Sequence, residues 1–176
     1  PHQKLYSFTG SMEAQGVGTD FLSNHTRLNA KAKVAQLHYG KYHINNLLAV
    51  AHVANGKVHA DIDSNNQLLK GLVSLDALTN SKNLEATVVA DVRNVDLYLM
   101  GLTKVPMRAT ACGQVDLKTN LKEDHYLQAM LGSIVIKTQQ KEYRPVDIVA
   151  DVLTRRDTAH AVLNCGDFHL RMDTHG

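Results

Sequence analysis

The sequence predicts an all-β fold: a single long antiparallel meander of about ten to twelve strands, one continuous curled sheet whose apolar face forms a trough. Three observations predict it. Apolar residues recur at every second position along most of the 176-residue chain. Polar clusters rich in Asn, Asp, Ser and Gly interrupt that rhythm at short intervals, as tight turns between neighbouring strands require. The alternating set is built from Ala, Val, Leu and Ile, in a chain with no Trp, 3 Phe and 6 Tyr. A β-sandwich is the alternative architecture, but it favours large aromatic anchors and longer return connections.

The first 25 residues, containing TGSMEAQGVGTDFLSN, read as one or two strands and a Gly-rich loop. Regular alternation begins with Leu28, Ala30, Ala32 and Val34 against Asn29, Lys31 and Lys33. Tyr39-Gly40-Lys41-Tyr42 places Gly first in a two-residue loop, the type II′ preference. A strand with Leu47, Ala49, Ala51 and Val53 on one face follows. Asn55-Gly56 is then a type I′ hairpin signal, leading into Val58, Ala60 and Ile62. The two turns together set a register: Val34 opposite Leu47, Ala32 opposite Ala49, Ala51 opposite Ala60 and Val53 opposite Val58. One apolar face is thereby shared by three strands.

Beyond the polar stretches at 63–67 and 79–83, Leu84, Ala86, Val88, Ala90 and Val92 share a face. Next the rhythm breaks. Val92, Val95, Leu99 and Leu102 approach helical spacing, with Asn94 as a cap candidate and Gly101 as a C-terminal stop, so one short helix is expected near 94–100. Met107, Ala109, Ala111, Gly113, Val115 and Leu117 resume the alternation. Gly132, Ile134 and Ile136, then Val146, Ile148, Ala150 and Val152, and finally Phe168, Leu170 and Met172 complete it, with turns at 119–125 and 154–158. The domain reading is one β-groove segment over residues 1–176, with a candidate hinge near 93–106. The chain starts at Pro1 and ends in strand rhythm at HLRMDTHG, which reads as a piece of a longer protein.

Charge and motifs narrow the function. Nineteen Lys and Arg against 17 Asp and Glu leave a net charge of +2, with the basic residues spread singly. A nucleic-acid binder would carry a clustered basic stripe. No apolar run approaches the roughly 18 residues of a membrane-spanning helix. The chain has no nucleophile elbow, Walker loop, HExxH or dinucleotide fingerprint, so it reads as non-enzymatic and without a cofactor. Gly16-Val17-Gly18 reads as a loop. Asp61 and Asp63 read as a solvated outer face, and Cys112 and Cys165 as small semi-apolar side chains, with an inter-strand disulfide left open.

The chain has ten histidines. The predicted turns set His52 opposite His59 and His38 opposite His43. Each pair is short of the three or four ligands that a metal site needs, so no metal is assigned. His52 and His59 fall on the face opposite Val53 and Val58.

The order of these features resembles the TamB family, the translocation and assembly module proteins of the bacterial cell envelope, within the AsmA-like superfamily. The resemblance is carried by LNAKAKVAQLHYGKYHINNLLAVAHVANGKVHADIDSNNQLLKGLVSLDAL, LEATVVADVRNVDLYLMGL, and GSIVIKT with YRPVDIVADVLTRRDTAHAVLNCGDFHLRMDTHG, covering roughly residues 25 to 176. These are patterns of strand and turn, not catalytic signatures. The resemblance implies a parent anchored in the inner membrane and spanning the periplasm. It implies a groove that carries phospholipid, and work with an outer-membrane barrel partner in assembling outer-membrane proteins. On that resemblance the chain is expected to be a mid-portion of such a parent, apart from its anchor and from the end that meets the barrel.

The functional expectation is therefore a groove that takes phospholipid or another amphiphile. A trough of small apolar side chains can bury an acyl chain at about 0.8 kcal/mol per methylene with no specific polar partner. The alternative is a structural or adhesive β spacer whose face packs on itself. Open sheet edges at both ends are expected to favour self-association.

Overall fold

The computed structural model describes residues 6–18, 23, 25–39, 42–80 and 82–175, with the backbone alone for residues 6, 38, 39, 42 and 43. These form one antiparallel sheet. Its strands are β1 (Tyr6–Val17), β2 (Arg27–Tyr39), β3 (Tyr42–Ala54), β4 (Lys57–Asn65), β5 (Leu69–Thr79), β6 (Leu84–Asp96), β7 (Met107–Thr119), β8 (His125–Thr138), β9 (Glu142–Tyr143), β10 (Ile148–Arg155), β11 (Thr158–Cys165) and β12 (Phe168–His175). Eleven of them lie side by side in chain order, and the two-residue β9 pairs only with β8. The sheet is not closed: β1 and β12 are its two edges. Neither a second sheet nor a helix is present among the described residues, so the sandwich alternative is not the architecture seen.

The predicted registers hold. Val34 pairs with Leu47 and Ala32 with Ala49, while Ala51 pairs with Ala60 and Val53 with Val58. The reason lies in the turn at Asn55-Gly56, where φ is +54° and +72°. A type I′ turn needs exactly two consecutive residues in the left-handed region, which Asn and Gly tolerate best. Gly40 and Lys41 lie outside the described residues, but Tyr39 and Tyr42 are paired beside them. The two-residue Gly166-Asp167 hairpin closes β11 onto β12 with only its first residue, Gly166 at φ +57°, in the left-handed region.

The expected helix near 94–100 is absent, and a bulge explains the error. β6 runs straight through to Asp96, and its register on β7 slips between Val92 and Val95. Arg93 and Asn94 together oppose the single Thr110, one residue more than the ladder needs, so Val92 and Val95 stay on one face at a spacing of three without any helix. Residues 97–106 form a connection closed by Leu97 N–H to Met107 O; Met100 N–H to Asp96 O at 3.0 Å makes a single α-type bond and Gly101 N–H to Tyr98 O at 2.9 Å a single 3₁₀-type one before the chain turns away. The cap is Asp96 rather than Asn94: its carboxylate accepts the Leu99 N–H at 2.9 Å and pairs with Arg108 at 3.1 Å.

Three other expectations need correction. Gly132, Ile134 and Ile136 are not one alternating set, because β8 carries a bulge at Ser133, whose φ is +52°. Gly132 pairs with Cys112, whereas Ile136 pairs with Ala109, so they face opposite sides. At this bulge β8 changes neighbour, from β10 to β9, and Asp147 accepts the Ser133 N–H. Val146 precedes β10 and is 54% exposed, so it does not share a strand with Ile148. Finally, Gly16 and Val17 end β1 instead of forming a loop.

Candidate ligand-binding face

Following the register from strand to strand assembles the candidate site. The first row is Gly16, Leu28, Val53, Val58, Ala77 and Ala86, continued by Leu117, Leu127, Val152, Ala161 and Met172. The second is Ala14, Ala30, Ala51, Ala60, Leu75 and Val88, then Val115, Ala129, Ala150, Leu163 and Leu170. The third is Met12, Ala32, Ala49, Ile62, Val73 and Ala90, then Gly113, Leu131, Ile148, Cys165 and Phe168. No polar residue interrupts any of the three. With strands about 4.8 Å apart and same-face residues about 7 Å apart, the rows cover a strip on the order of 50 Å by 14 Å.

A shorter fourth row runs through Val34, Leu47, Ser64, Gly71, Val92 and Ala111, and Ser64 and Gly71 break its apolar character. Ile136, next to Ala109 and Val95, sits beyond the bulges. Ile134 lies in the β8 bulge itself. Sequence reasoning missed the contributions of β1, β5, the first half of β8, and β11. Leu127, Ala129 and Leu131 do alternate, but the Ser133 bulge hides their connection to Ile136. In β5 the signal is blurred because Leu72 and Leu78 point to the other side, where they are exposed.

The opposite face is polar and is laced across strands. Its central row reads Gln15, Asn29, His52, His59, Asp76, Thr87, Asp116, Gln128 and Asp151. The Thr87 hydroxyl donates to Asp116 at 2.6 Å, and the Gln128 amide donates to Asp151 at 2.7 Å. His59 lies between two carboxylates, 2.7 Å from Asp76 and 3.2 Å from Asp61. The hydrogen bond to Asp76 is the main cause that raises the His59 pKa above 6.5, with Asp61 adding to it. Asp61 is held below the usual carboxylate range, chiefly by the Ser74 hydroxyl.

His52 and His59 do face each other in register, but each imidazole turns to a different strand. The His52 Nδ1 meets Asn29 on β2, while His59 meets Asp76 on β5. His38 and His43 are register partners too, with side chains outside the described residues. No group of three or more His, Cys, Asp or Glu side chains placed to hold a metal occurs among the described residues. Cys112 and Cys165 are free and on opposite faces, separated by β8 and β10. That separation far exceeds the roughly 7 Å limit between Cα atoms for a disulfide.

Hollows of about 490, 440 and 280 Å³ lie among the long side chains of the polar face and the loops at its margin. The apolar rows instead form an open strip. Their side chains are mostly half-buried by one another; Val53 and Ala77 are buried, whereas Met12, Phe168 and Met172 at the sheet edges are more than half exposed. No protein-family model, curated protein or solved structure matches this chain.

Proposed function

We propose that this chain is a non-enzymatic segment of an envelope-biogenesis protein, whose sheet curls its apolar face into a groove for the acyl chains of phospholipid or a similar amphiphile. The observation that carries this reading is the continuity of three apolar rows over eleven strands, without a second layer among the described residues. A self-contained core does not need a one-sided apolar strip on the order of 50 Å long, whereas a path for an acyl chain does. Sheet twist gives such a strip its curl. The placement in the periplasm and the work beside an outer-membrane barrel rest on the family resemblance of the sequence pattern.

The test is binding of a fluorescent fatty acid and of spin-labelled phospholipid to the purified chain. Ala51→Asp and Ala150→Asp, both in the second row, are expected to weaken binding at least tenfold. Val89→Asp, on the polar face, is expected to leave it unchanged. Absence of binding in the parent chain, or equal binding by all variants, would sink the groove. The second reading, a self-packed spacer, is favoured by Val53, Leu68 and Ala77, all at 9% exposure or less. It would be supported by a dry face that takes up no amphiphile.

A further inference from the structure

The two ends of the strands carry different chemistry, and one of them has the character of a membrane-contact surface. The connection between β6 and β7 holds four large apolar side chains outward: Tyr98 at 48% exposure, Leu99 at 47%, Leu102 at 69% and Val105 at 56%. They do not belong to a strand, so pairing does not explain them. The connection is preorganised. Asp96 caps it through Leu99 N–H, and Leu102 N–H and Thr103 N–H both donate to Leu97 O.

Around this knob, the same end of the sheet presents the exposed basic side chains of Lys70, Lys104, Arg108, Lys137, Lys141 and Arg144. Carboxylates at this end are Asp96, Glu142, Asp147 and Asp167; Asp96 pairs with Arg108, Glu142 with Lys137 and Arg144, and Asp147 accepts the Ser133 N–H, so the bases outside these ion pairs are Lys70, Lys104 and Lys141. The loops at the opposite end, 80–83, 120–124 and 155–158, mix Lys82, Lys122, Arg155 and Arg156 with Glu123, Asp124 and Asp157. Their one exposed large apolar residue among the described ones is Leu121, at 38%.

We propose that the β6–β7 end of the sheet seats on an anionic phospholipid surface, with Tyr98, Leu99, Leu102 and Val105 entering the headgroup layer and Lys70, Lys104 and Lys141 pairing with lipid phosphates. Apolar side chains ringed by basic ones are what an interfacial site requires. Aromatic Tyr suits the headgroup level, where its ring is dry and its hydroxyl wet. A bilayer fits better than a protein partner, because Lys70, Lys104 and Lys141 are spread over three separate elements, β5, the β6–β7 connection and the turn between β8 and β9. The inference stands apart from the groove: it uses different residues, and either can fail alone.

The test is co-sedimentation of the chain with vesicles of phosphatidylglycerol and phosphatidylcholine, compared with phosphatidylcholine alone. Binding to the anionic vesicles is expected, and it should weaken at high salt. Leu102→Asp is expected to reduce it at least tenfold, and Lys104→Gln about fivefold. Leu121→Asp and Lys122→Gln, at the other end, serve as controls with unchanged binding. Because Leu102 and Lys104 are exposed and outside the strands, the variants keep the parent melting curve. Failure to bind anionic vesicles, or equal losses in the control variants, overturns the proposal.

Discussion

The two faces of this sheet use the same backbone and opposite side-chain physics. On one face the neighbours of each residue are apolar in every direction, so burial is collective and does not depend on any single pair. On the other face stability is local, made of discrete cross-strand pairs such as Thr87 with Asp116 and His160 with Asp173. Each such exposed pair contributes little by itself, because water competes for both partners. The lesson is that damage should spread on the first face and stay confined on the second.

The sharpest way to break the comparison is to place the same charge on both faces. Val53→Asp puts a carboxylate among apolar neighbours at a site 2% exposed. It is expected to destabilise by more than about 3 kcal/mol, enough to lower the urea midpoint severely. Val89→Asp, at 45% exposure on the polar face, is expected to stay within about 0.5 kcal/mol. Equal effects would show that the faces are not energetically distinct.

A smaller effect is expected where the sheet stops alternating. Asp96→Ala removes the acceptor for Leu99 N–H and the partner of Arg108, and should cost about 1–2 kcal/mol in equilibrium unfolding. Arg108→Ala should cost less, since Arg108 is 68% exposed and loses only a surface ion pair. The reverse order would make the ion pair, and not the cap, the organising contact.

The smallest effect is on the polar face and depends on pH. The His59 pKa is raised by Asp76 and Asp61, so the protonated form is the favoured one in the folded chain. Its stabilisation is fully present below pH 6.5, the unfolded value, and is lost as pH rises through the folded one. The groups facing it are Asp76, Asp61 and, by register, His52. His59→Asn should therefore flatten a slight fall in melting temperature above neutrality. At the acid end, Asp61, Asp96, Asp116 and Asp173 all have lowered values, so their stabilisation is lost as pH falls below the ordinary carboxylate range. A melting temperature independent of pH from 6 to 9 in the parent would remove His59 from this account.

Much of the fold was legible because a strand's period is short and turn chemistry is stereochemical. Asn55-Gly56 alone sets the pairing of β3 with β4 and thereby the face of Val53 and Val58. What misled was the bulge. Val92 and Val95 have helical spacing in the sequence, and only the slip of β6 against β7 shows that a spacing of three can keep two residues on one face of a strand. The same cause hid the link between Leu131 and Ile136 in β8. The apolar residues of the 98–105 connection are plain in the sequence, but that they stand exposed is decided only by where the chain leaves β6.

The sequence by itself determined the alternation, the hairpins with Asn-Gly chemistry and the sidedness of each regular strand, because these depend on neighbours within a few residues. The tertiary structure alone decided that the separate apolar faces join into three unbroken rows, since that depends on register summed over eleven strands. It also decided where the bulges fall. An extra residue costs nothing in the local pattern and is defined only against the partner strand it no longer matches.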